Sequence, residues 1–96
     1  MATTSATIPT TDGARLIKRL CAHWSHKFPV ESSEGHGDIA FDAQTRVRLN
    51  ATDETLEAAI ETADAAYVTR LQDVVAEHLN RMARGETLTI AWSAVS

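Results

Sequence analysis

The sequence predicts a two-layer α+β domain with two helices packed on one face of a mostly antiparallel sheet of about five or six strands, in the order β-α-β-β-β-β-α-β. Three observations carry this. Two segments, opened by Asp12 and Asp64, repeat apolar residues at the three-to-four spacing of a helix. The segments around them alternate apolar with polar residues, as strands with one wet face do. The 96 residues are 44% hydrophobic and 23% charged, an ordinary globular composition read as a single domain over residues 1–96.

Residues 1–3 are expected to fray. From Thr4 to Pro9, Ala6 and Ile8 alternate with polar neighbours as a short strand, and Pro9 marks an edge or an end. Asp12 is placed to cap the first helix, its carboxylate accepting amide protons of the first turn. That helix runs to about His26, with Leu16, Ile17, Leu20, Cys21 and Trp24 as its stripe, and Pro29 requires it to end before Phe28.

"KFPVESS" then sets Phe28 and Val30 on one face, and "SEGHGD" reads as a loop that exposes His36. "DIAFD" turns Ile39 and Phe41 inward. "TRVRLNA" turns Val47 and Leu49 inward and Arg46 and Arg48 outward, and "TLEAAIET" turns Leu56, Ala58 and Ile60 inward. Asp64 caps the second helix, whose stripe is Tyr67, Val68, Leu71, Val74, Val75, His78, Leu79 and Met82. Gly85 is the expected stop, and "TLTIAW" the last strand.

A chain of this size has one modest core and little room for an enclosed catalytic cavity, so a monomer or a homodimer is expected. Formal charge is -4 and the isoelectric point about 5.4, which argues against nucleic-acid binding despite Arg15, Lys18, Arg19 and Lys27 around the first helix. Cys21 is the only cysteine, as in a reducing cytosol. The start lacks a signal peptide's pattern, and no apolar run approaches the ~20 residues that span a membrane. A cytoplasmic protein without membrane contact is expected.

"ATIPTTDGA" from Ala6 and "AAIETADAA" from Ala58 share the pattern A-x-I-x-T-x-D-x-A, and the same offset pairs His26 with His78. Helical phase separates the two histidines. At about 100° per residue, His26 lies roughly 160° from the apolar arc of its helix, whereas His78 lies inside its own, between Tyr67 and Leu71. The repeat is therefore read as two capped strand exits, not as a duplicated site.

"CAHWSHK" holds the densest reactive set: Cys21, His23, His26 and Lys27. His23 and His26 are neighbours on a continuous helix and could share a metal, but Cys21 points away from both. The plain alternative is a cationic helix terminus with a small core thiol. His78 is a titratable ring in an apolar stripe. It is either a core histidine bonded to a backbone carbonyl or a residue facing a pocket between helix and sheet, suited to ligate metal or haem iron or to act as a base. No Ser-His-Asp order, phosphate loop or CxxC pair is present, so the enzymatic signal is weak.

The segments "RLIKRLCAHWSHK", "IAFDAQTRVRLNA", "LQDVVAEHLNRMA" and "ETLTIAW" together give a chain that resembles the bacterial domain-of-unknown-function family twenty-two eighteen over nearly its whole length. The resemblance implies a small α+β domain, found alone or attached to flavin-dependent siderophore-interacting reductases, with a hint of iron or haem handling. Its pattern falls on Cys21, His23, His26, Lys27, Phe41, His78 and Leu79. Gln44 replaces a turn glycine, and Met82, Arg84 and Gly85 depart from the run before Glu86.

The candidate metal ligands are thus His78, His23 and His26. The function expected is an accessory domain that binds iron, haem or another metal, with a siderophore-interacting reductase as partner. The alternative is a non-catalytic interaction or dimerisation module. An enzyme using Cys21 or His78 ranks last.

Overall fold

The computed structural model describes residues 1–83 and 86–96. Five strands form one antiparallel sheet: β1 (Ala2–Pro9), β2 (Val30–Ser33), β3 (His36–Asp42), β4 (Thr45–Ala51) and β5 (Thr55–Thr62). Helix α1 (Gly13–Trp24) follows β1, and α2 (Val68–Met82) follows β5 through a 3-10 turn at Ala65–Tyr67. The strand order β1-β5-β4-β3-β2 puts β1 and β2 on opposite edges. Helix α1 must therefore carry the chain across the sheet, and β2 to β5 return as a meander.

Strand alternation places the core. Ala6 and Ile8, Ile39, Val47 and Leu49, and Leu56, Ala58 and Ile60 are all buried on the helix side. The stripes Leu16, Ile17, Leu20, Cys21 and Trp24 of α1 and Val68, Leu71, Val75 and Leu79 of α2 close over them. The opposite face is wet. There Arg46 and Arg48 meet Asp38 at 3.0 and 3.7 Å, and Arg48 meets Glu61 at 3.1 Å.

Several expectations change. Ala2 and Thr3 belong to β1, because they pair with Thr62 and Glu61 of β5, and Thr3 also exchanges backbone hydrogen bonds of 2.9 and 3.0 Å with Ser96. The predicted last strand "TLTIAW" is not a strand. Its alternation holds, with Leu88 buried and Ile90 and Trp92 packed on the core, but the backbone bonds to β1 fall later, at Ser93 and Ser96. Helix α1 stops at Trp24, so His26 lies in the turn beyond it. His36 opens β3 rather than a loop, its Nδ1 2.8 Å from Asn50 Oδ1. The loop itself is two residues, with Gly35 at φ +72, a left-handed conformation suited to glycine. Gly85, the expected helix stop, lies outside the described residues.

The two caps differ. Asp64 accepts the Ala66 N–H at 3.0 Å but caps the 3-10 turn rather than α2, whose N-cap is Tyr67, whereas Asp12 makes no side-chain cap bond. The feature both exits share is one residue pair earlier. Thr10 Oγ1 accepts the Asp12 N–H at 3.1 Å, and Thr62 Oγ1 accepts the Asp64 N–H at 3.3 Å. Ala6 lies directly opposite Ala58, so the two copies of the motif meet at their first residues and run apart in opposite directions along β1 and β5.

The hairpin where Gln44 replaces a glycine closes without positive φ. A register shift lies between Ala40 and Asp42, and Asp42 Oδ1 accepts the Gln44 N–H at 2.7 Å.

Gly37 sets how closely α1 approaches. A Cβ there would stand 2.5 Å from Cys21 Sγ and 3.1 Å from Ile17 Cγ2. Gly37→Ala should lower stability by about 1–3 kcal/mol in urea unfolding, the usual cost of overpacking, and Cys21→Ala should restore part of it. An unchanged midpoint in Gly37→Ala would contradict this packing.

Candidate functional site

Where the last turn of α1 passes the side of α2, the two stripes diverge and leave a groove of about 400 Å3. Helix α1 and the turn after it contribute His23, Trp24, Lys27 and Phe28. The end of β3 contributes Phe41 and Asp42. The start and side of α2 contribute Tyr67, Arg70, Leu71, Val74 and His78. Four of the chain's five Phe, Trp and Tyr residues are in this lining.

The aromatic wall is continuous. Phe28 and Phe41 centroids are 4.7 Å apart, Phe41 meets Trp24 edge-on at 5.1 Å, and Trp24 lies 5.1 Å from the His78 ring. These are spacings of attractive ring pairs. Trp24 is buried and counts as core, yet its indole also forms part of the groove.

His78 and His23 approach to 5.4 Å between ring centroids, at an interplanar angle of 45°. His78 Nδ1 is 2.7 Å from the Val74 carbonyl oxygen, one turn back on α2. A carbonyl only accepts, so Nδ1 carries the proton, and in the neutral form of the ring the lone pair is on Nε2. His78, half-buried, thus bonds a backbone carbonyl and also lines a groove formed by the two helices and the end of β3.

His26, exposed in the turn after α1, is not part of the lining. The helical spacing that suggested a His23/His26 pair is lost because α1 ends between them. Among the described residues no group of three or more His, Cys, Asp or Glu side chains is placed to hold a metal ion. Sequence reading missed Phe28, Tyr67 and Arg70 as groove residues. Phe28 and Tyr67 were read only as parts of apolar faces, and Arg70 projects from α2 beside them.

Cys21 lies against Gly37 on the far side of α1's stripe, and burial pushes its thiol above the usual range. The protonated form is the poor nucleophile, so an enzyme built on Cys21 finds no support.

The family model that matches residues 5–93 is described as an uncharacterized protein conserved in bacteria (DUF2218). Comparison with curated proteins finds no match. Among solved structures, the NMR structure of PA4090 from Pseudomonas aeruginosa is similar, with a TM-score of 0.82 and 36% identity, over 97% of this chain and 96% of that one.

Because burial disfavours the Cys21 thiolate in the fold, Cys21 leaves stability unaffected while both states are protonated and lowers it as pH rises from the ordinary thiol range toward the raised folded value. In mildly alkaline buffer a disulfide reagent should leave native Cys21 unmodified and label it at once in denaturant. Rapid labelling of the native protein would contradict its placement.

Proposed function

The chain belongs to a family of uncharacterized proteins conserved in bacteria (DUF2218), and we propose that this member is a non-catalytic accessory domain that holds iron, as haem or another metal chelate, between its two helices. The observation that supports this reading is the approach of His23 and His78 to 5.4 Å over an aromatic wall.

Two imidazoles do not make a cage for a bare ion, since structural sites close four protein ligands around zinc. A metal already carried by an organic chelator needs only one or two axial donors from the protein, as haem does. The Nδ1–H bond from His78 to the Val74 carbonyl is the kind of outer contact that orients a ligating imidazole and leaves Nε2 to the metal. Trp24, Phe41 and Phe28 would lie against the chelator's planar part.

His26 takes no part in this reading. The partner it implies is a flavin-dependent siderophore-interacting reductase. The alternative, an interaction module docking through the open sheet face, has less support, because Arg46, Arg48, Asp38 and Glu61 already satisfy one another there.

Titration of the protein with haemin, followed by Soret absorbance, should saturate near one equivalent. His78→Ala should weaken binding at least about tenfold, the usual scale for losing a ligand or its support, while His26→Ala leaves it unchanged. No Soret response at stoichiometric haemin, or equal binding by His78→Ala, would overturn the metal reading.

A further inference from the structure

The groove carries charge as well as rings, and its charge is opposite to that of the chain. Net charge is -4, yet Lys27 and Arg70 flank this groove and face only one carboxylate in its lining, Asp42. Asp42 is partly committed, since its Oδ1 accepts the Gln44 N–H at 2.7 Å. The ion pairs among the described residues use Arg46, Arg48 and Arg81, so neither Lys27 nor Arg70 has a carboxylate partner there.

We propose that the groove recognises an aromatic anion: a ligand of one or two planar rings bearing a carboxylate or phenolate. The rings lie on Trp24, Phe41 and the His78 imidazole, and the anionic group is drawn to Lys27 and Arg70. The proposal rests on reading this groove as the ligand site, but not on any metal.

Size agrees. About 400 Å3 lies within the range of roughly 300–1,000 Å3 typical of small-molecule sites. Specificity follows from the same residues. The ring wall accepts planar aromatic surface in offset or edge-on contact. The guanidinium of Arg70 can bond a carboxylate through two N–H groups, whereas Lys27 acts as a point charge. A neutral ring system would keep the stacking and lose the charge-assisted bonds. An aromatic cation would be repelled.

The test uses the full chain in excess metal chelator, with 2-naphthoate as the anionic probe and 2-naphthamide as its neutral match, followed by 1H–15N NMR. Naphthoate should shift the Trp24 indole and backbone signals around His78 and Arg70, and should bind about tenfold more tightly than the amide, a difference on the scale of one charge-assisted hydrogen bond. The double variant Lys27→Gln, Arg70→Gln should reduce naphthoate to the amide's affinity with no change in the thermal midpoint, both side chains being exposed. Equal affinities for the two probes, or no groove shift with millimolar naphthoate, would overturn the proposal. His78→Ala separates the two readings. If it abolishes haemin binding but keeps the naphthoate preference, both stand. If wild-type protein ignores haemin yet prefers naphthoate, the metal reading falls and the aromatic-anion site stands.

Discussion

At Gly37 the first helix sits so low on β3 that a methyl group there would stand 2.5 Å from the Cys21 sulfur. This close seating governs much else. It sinks Ile17 and Cys21 into the sheet, so that α1 presents its whole stripe to β3 and β4. It also fixes where the last turn of α1 ends, and hence where Trp24 and His23 meet the side of α2. Interiors packed to crystalline density respond to a single added carbon, so the helix has little freedom to ride higher. Arg19 ties the other side, donating to the Met82 carbonyl at 2.9 Å and satisfying one of the open groups at the end of α2.

The two copies of A-x-I-x-T-x-D-x-A acquire a physical meaning from the register. Ala6 faces Ala58 in adjacent antiparallel strands, so the copies run in opposite directions from a shared centre. Each leaves the sheet at a buried threonine whose hydroxyl accepts the amide of the aspartate two residues on. Beyond that point they diverge: one enters α1 directly, the other a 3-10 turn capped by Asp64 before α2. The likeness is a solution to leaving a strand toward the covered face, and it ends where the helices begin.

Alternation and helical spacing made the five strands, both helices and nearly every core position legible, because one covered face imposes period two and two amphipathic helices impose period 3.6. Ends were less legible. Pro29 announced that α1 must end, but not where: Ser25 and Phe28 still donate to the carbonyls of Cys21 and Trp24 four residues back, and Lys27 to Trp24, so the chain leaves the helix through a turn that pattern alone does not place. "TLTIAW" alternates like a strand because it covers the core, but its backbone does not pair with β1 until Ser93. In the site, the in-phase histidine was visible from the stripe of α2. His23 and His26 were both candidates to join it, and which of them does so could not be read, since the crossing of two helices is a long-range fact. The aromatic wall was hidden for the same reason: Phe28, Phe41 and Tyr67 come from three separate elements.

The groove thus joins an imidazole of fixed orientation, a second imidazole, four aromatic rings and two cations without a carboxylate partner among the described residues. Its chemistry depends on which nitrogen of His78 is free. Long-range 1H–15N correlation spectra of the neutral imidazole read this directly. Nδ1 should be protonated and bonded to the Val74 carbonyl, and Nε2 unprotonated, with a signal that moves when ligand fills the groove. A neutral ring protonated at Nε2, with Nδ1 bare, would contradict the geometry on which the site is built.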